Sequence, residues 1–156
     1  MFSIDTGVIW NVRIASSFLD FEAVSGSVIY VVAYAVVANQ QLLTVRKKNT
    51  DKFMFPGGKF EPGENAEAAI QREVREELSC EIAPCSLTLL GKFETIAANE
   101  ADTQLVATVF QGDLIGTPTA SNEIAELQWI PIMAEDYAIE LAPLLTECVL
   151  PYLRAL

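Results

Sequence analysis

Val8, Trp10, Val12 and Ile14 alternate with Ile9, Asn11, Arg13 and Ala15, a period of two that predicts a strand. Phe18, Leu19, Phe21 and Val24 predict a second, shorter one. Ser25-Gly26-Ser27 breaks the chain, and residues 28–38, rich in Val and Tyr, predict one long buried strand. Asn39-Gln40 supplies a turn, and residues 41–47 a returning strand. Residues 86–97, 103–112 and 124–132 predict three more strands, with Trp129 inside the last and Pro131 ending or edging it. Residues 134–156 read as mostly helical. Pro143 suits a first helical position, Leu144, Leu145, Cys148 and Val149 form an apolar stripe, and Pro151 breaks or kinks the helix beyond them.

Between these strands the period changes to that of a helix. Pro56-Gly57-Gly58 and Pro62-Gly63 predict turns, with glycines that permit a close backbone approach. Asn65 is placed as an N-cap, and residues 66–78 contain strong helix formers and neither Gly nor Pro. At about 100° per residue, Ala66, Ala69, Ile70, Val74 and Leu78 share a core-facing side. Glu73, Glu76 and Glu77 lie on or beside that side at i, i+3 and i, i+4 spacing, so the three carboxylates converge. Like charges so placed repel, and the repulsion grows as water is excluded. Two compensators fit: Arg72 and Arg75 on a solvated helix face, or a hard divalent cation shared with the glycine turn.

Composition narrows the classes. The chain has 156 residues, enough for one domain, and is 51% hydrophobic. Its formal net charge of -11 is opposite to a nucleic-acid-binding footprint. Three cysteines, at spacings that match no zinc or redox pattern, read as reduced packed thiols. The opening residues lack the pattern of a signal peptide, and the run 28–38 is about half of the roughly 20 residues that span a bilayer. The expectation is a cytoplasmic protein with no membrane partner. The chain has no histidine, so imidazole cannot serve as a general base.

The stretch around the helix resembles the signature of the Nudix hydrolase superfamily, MutT-like members included: G-x5-E-x7-R-E-U-x-E-E-x-G-U, with U apolar. Gly58, Glu64, Arg72, Glu73, Val74, Glu76 and Glu77 match, and Cys80 fills the final apolar place. Ser79 departs from the pattern's glycine. Left-handed geometry there costs a serine on the order of 1 kcal/mol, or else the helix end shifts. The resemblance implies an α/β (α+β) fold, the Nudix-type α/β/α sandwich with a central mixed β-sheet, over residues 26–156. Residues 1–25 are then an N-terminal extension, either an extra strand or an element exchanged in a homodimer. The resemblance also implies roles. Glu73, Glu76 and Glu77, with the carbonyl of Gly57, would hold Mg²⁺ or Mn²⁺. Arg72 would orient a glutamate, Glu64 would shape or join the metal shell, and one of the glutamates would act as base. A further glutamate before the Trp129 strand would complete the site, with Glu123 placed first and Glu126 second.

Other candidates lie outside the signature. Arg46-Lys47-Lys48 is the densest basic cluster, and the resemblance implies a phosphate contact at the end of that strand, placed at Arg46. Lys59, directly after the Gly pair and constrained by the turn, is the stronger phosphate candidate. Phe53, Met54 and Phe55 read as core, with one of them a candidate pocket wall. Asn99-Glu100-Ala101-Asp102 reads as a solvated hairpin tip. The implied activity is cleavage of a pyrophosphate bond in a nucleoside diphosphate linked to another moiety, with a common or modified nucleoside triphosphate as substrate. Glu94-Thr95-Ile96-Ala97-Ala98 shows neither the proline nor the tyrosine that often marks ADP-ribose or dinucleoside polyphosphate hydrolases. ADP-ribose or nucleotide-sugar cleavage, or a non-catalytic nucleotide sensor on the same fold, are the alternatives.

Overall fold

The computed structural model describes residues 26–156 in full and, before them, the backbone of three strands. These are β1 (Phe2–Ile4), β2 (Val8–Ala15) and β3 (Phe18–Val24), which form an antiparallel sheet in sequence order. The two strands expected in this stretch are therefore present as backbone. Whether the extension serves one subunit or two lies outside the described residues.

Two four-stranded sheets carry the rest. The first contains β4 (Ser27–Ala35), β8 (Gly57–Lys59), β10 (Thr88–Ile96) and β11 (Thr103–Gln111), in the order β10-β11-β4-β8. The β4–β11 pair is parallel and its neighbours are antiparallel, so the sheet is mixed. The second is built on β6 (Gln41–Lys47), with β13 (Ile124–Pro131) on one side, and β5 (Val37–Ala38) and β7 (Phe53–Met54) also paired to β6. Two short strands, β9 (Glu81–Ile82) and β12 (Leu114–Ile115), pair separately.

Alternation along the strands divides the core. Val32, Tyr34, Leu43 and Val45 pack with Ala69, Ile70, Val74 and Leu78 of helix α1 (Ala66–Leu78). Ala33, Ala35, Leu42 and Ile130 face the other way, onto Leu144, Leu145, Val149 and Leu150 near the C-terminus. The result is the α/β/α sandwich, with α1 over one face and the C-terminal helical segment over the other.

Three expectations need correction. Residues 28–38 are not one strand: the ladder breaks at Val36, whose carbonyl accepts from Leu43 N at 3.0 Å, and the chain passes from one sheet to the other. Gly57 and Gly58 are not a turn but part of β8, in register with Val32 and Ala33. Gly57 lies so close to β4 (φ 146°) that a Cβ there would run into the Val32 carbonyl. Residues 134–142 are not helical, whereas Pro143 takes the first helical position expected of it. Phe53 N donates to Glu140 O and Ala142 N to Phe53 O, both at 2.8 Å, which holds residues 140–142 alongside β7. Helix begins only at Pro143, with a π-helical turn, Leu144–Val149, that runs into α2 (Leu150–Arg154). In α register Pro151 has no N–H to give the Glu147 carbonyl and its ring would strike it. The wider π turn accommodates that, with Leu150 N bonded to Leu145 O.

Candidate active site

Helix α1 begins as its sequence directs. Asn65 Oδ1 accepts from Ala68 N at 2.8 Å, the N-cap bond. It ends at Ser79, which adopts the left-handed conformation (φ 54°, ψ 35°) while its N–H donates to Arg75 O, so the helix end has not shifted.

The guanidinium of Arg72 gathers the acids. Its Nε donates to Glu64 Oε1 at 2.6 Å and its NH2 to Glu64 Oε2 at 3.0 Å, a bidentate pair. NH1 donates to Glu73 Oε1 at 2.8 Å and to Glu76 Oε2 at 3.3 Å, and NH2 also reaches the Lys59 carbonyl at 3.1 Å. Glu64 receives a further bond from Glu61 N at 2.9 Å. The Arg72 bonds, followed by the Glu61 N–H, hold the Glu64 carboxyl down at about 2. The Glu64 pair raises the pKa of Arg72 further, so it stays charged.

Glu73 and Glu77 are buried, as their positions beside the apolar side of the helix predict. Gly58 makes room for the first: a Cβ there would come within 2.5 Å of Glu73 Oε1. Glu77 accepts from Gly57 N at 3.4 Å through Oε1, while its Oε2 is buried with no hydrogen-bond partner. Burial pushes the Glu77 carboxyl up to about 9, the neighbouring Glu73 carboxyl adds to this, and Lys47 and the Gly57 N–H oppose it. Two buried carboxyls side by side satisfy each other by sharing a proton or a cation. Among the described residues no three His, Cys, Asp or Glu side chains already stand in a metal-holding cluster, and Arg72 occupies part of the acids' bonding capacity.

These groups line a cavity of about 900 Å³, of a size to take a small organic ligand. Glu73, Glu76 and Glu77 form one wall, and Lys47, Lys59 and Glu123 also border it. Of the expected wall residues, Met54 and Phe55 line it, while Phe53 is core. Glu64 stands behind Arg72 and not on the cavity surface, so it reaches the site only through that guanidinium.

Not every expected residue is brought together. Arg46 is turned away: it donates to Thr50 O at 2.9 Å, pairs with Glu126 at 3.3 Å and lies over the Phe53 ring. Glu126, opposite Arg46 in the β6–β13 register, goes with it. Lys47 takes the place at the cavity, paired with Glu123 at 3.8 Å. Strand parity carries the signal, because Lys47 continues the side of Leu43 and Val45 that faces α1. Lys59 lines the cavity as expected and pairs with Glu100 of the hairpin tip at 3.3 Å.

A mixed sheet, a carboxylate-bearing helix and two lysines thus meet around one cavity. The family model described as the NUDIX domain matches residues 28–148. The chain belongs to the Nudix family. It is 45% identical over 47 residues to the "Putative 8-oxo-dGTP diphosphatase" of Bacillus subtilis (strain 168), a match covering 29% of this chain and 32% of that one. The fold is similar to that of a MutT NUDIX hydrolase from Burkholderia pseudomallei (TM-score 0.62, 24% identity, 74% of this chain and 91% of that one). A NUDIX hydrolase from Nitrosomonas europaea is similar as well (TM-score 0.64, 24% identity, 81% and 89%).

Proposed function

We propose that this protein is a Mg²⁺- or Mn²⁺-dependent hydrolase that cleaves a pyrophosphate bond in a common or modified nucleoside triphosphate. Family membership supports the general class, a pyrophosphohydrolase of nucleotide-like substrates. The observation that carries the reading is Glu77, whose buried Oε2 meets no donor beside an Arg72-anchored Glu73, on a cavity wall shared with Lys47 and Lys59.

The donor set fits a hard cation: carboxylates of Glu73, Glu76 and Glu77 and the carbonyl of Gly57 are oxygen ligands of the kind Mg²⁺ takes. Bound there, the metal would lower the pKa of a water and offset charge on the phosphates. Arg72 fixes the Glu73 carboxylate, and Glu64 fixes Arg72. Lys47 and Lys59 supply positive charge for the phosphate chain in a protein that otherwise repels polyanions. One of the α1 glutamates, Glu73, Glu76 or Glu77, accepts the proton of the attacking water, with Glu123 at the rim as the further acid of the site. The modified nucleotide in the Bacillus subtilis relative's name belongs to the proposed substrate class.

The test is a hydrolysis panel with Mg²⁺ and with Mn²⁺, run on wild type and Glu77→Gln. It spans common and oxidised nucleoside triphosphates, ADP-ribose, dinucleoside polyphosphates and nucleotide sugars. The expected result is turnover of nucleoside triphosphates, reduced on the order of 10³-fold or more in the variant. Turnover only of ADP-ribose or a nucleotide sugar would move the substrate assignment, and no turnover with either metal would overturn the enzymatic reading.

A further inference from the structure

Lys59 ends β8 at the cavity, and its ammonium is 3.3 Å from Glu100 Oε1. Glu100 belongs to the tip between β10 and β11, which also borders the cavity. The tip is shaped by backbone bonds. Ala97 N donates to Thr103 O at 2.9 Å, and Thr103 Oγ1 to Ala101 O at 2.9 Å. From the opposite side Lys52 Nζ donates to Ala98 O at 3.3 Å, so the tip is tethered at two points. Asn99, Glu100, Ala101 and Asp102 are all exposed, and apolar packing does not hold Glu100 in place. Among the described residues, Lys59 is the one cation paired with Glu100.

We infer that Glu100 is a specificity-determining residue: its carboxylate competes with the substrate's phosphates for Lys59 and so weakens binding of the most anionic ligands. This rests on the proposed function, in which Lys59 meets phosphate. The pair is exposed on both sides, 62% for Lys59 and 46% for Glu100, and such pairs exchange at small cost. A displaced Glu100 keeps its charge at the rim, within the roughly 8 Å over which physiological salt leaves charges coupled. It therefore bears most on highly charged ligands. Lys47 and Glu123, 3.8 Å apart, repeat the arrangement on the other cavity lysine.

The test compares wild type, Glu100→Gln, Lys59→Met and the double variant. Two readouts are taken: KM and kcat for the hydrolysed nucleotide, and the dissociation constant of inorganic tripolyphosphate by calorimetry. Glu100→Gln is expected to lower KM for a nucleoside triphosphate and to tighten tripolyphosphate by about two- to five-fold, with kcat unchanged. The gain for a less charged nucleoside diphosphate sugar is expected to be smaller, and no gain is expected in the Lys59→Met background. An unchanged or weaker tripolyphosphate affinity, or an equal gain without Lys59, would overturn the inference. If wild type hydrolyses nothing while tripolyphosphate still binds tighter to Glu100→Gln, the proposed activity fails and the competition stands.

Discussion

Protonation of Glu77 ties its burial to measurable stability. Burial beside Glu73 raises its carboxyl to about 9 in the fold, from the ordinary carboxylate value of 4.5 that unfolding restores. Between those values the folded state holds a proton that the unfolded state has lost, so stability falls as pH rises through the window. Urea midpoints of metal-free protein are expected to decline across it, and Glu77→Gln is expected to remove most of that slope. Glu64 works in the opposite sense and elsewhere: held at about 2, it contributes stability that disappears as pH drops below 4.5. A second residue with a definite cost is Ser79, exposed and left-handed at the end of α1. Ser79→Gly relieves that strain without removing packing, and denaturant unfolding should show a gain of about 1 kcal/mol with hydrolysis unchanged.

Helix α1 is the element on which the site depends, and Arg72 is its fastening. Removing Arg72 leaves Glu64 and Glu73 without their counter-charge in a partly buried place. Arg72→Ala should therefore destabilise the fold by about 2–3 kcal/mol, and any hydrolysis should fall further than that stability loss explains. Equal activity at a temperature where both proteins are folded would count against its positioning role. This helix is legible from spacing alone, because cap, apolar side, acids and left-handed end are all local properties of residues 65–79. The features that are not legible depend on partners distant in sequence. Gly57 and Gly58 read as a turn, since nothing local shows that Val32 and Ala33 will pair with them. Residues 134–142 carry no strong breaker, yet Phe53 and Arg154 take up their carbonyls. Preferring Arg46 to Lys47 treats the basic cluster as a patch, whereas strand parity separates the two onto opposite sides of β6.

The whole molecule carries a net charge of -11, and its cavity nevertheless collects Lys47, Lys59 and Arg72 beside Glu73, Glu76 and Glu77. Such a balance suits a ligand that arrives with its own cation: the acids need positive charge and the phosphates need it too. The metal-free protein should then be held back by repulsion at one place, and Mg²⁺ should relieve it. At a concentration about a hundred-fold above its dissociation constant, a bound cation would stabilise the fold by about 2.7 kcal/mol, or a melting-temperature rise of roughly 5–10 °C for a chain of this size. Thermal unfolding with MgCl₂, against NaCl at matched ionic strength, measures this directly. The Mg²⁺-specific rise should disappear in Glu77→Gln, whose neutral amide no longer brings a charge to the cation. It should persist in Glu126→Gln, since Glu126 pairs with Arg46 away from the cavity. An equal rise in NaCl, or one that survives in Glu77→Gln, would place the effect on the acidic surface at large and not at α1.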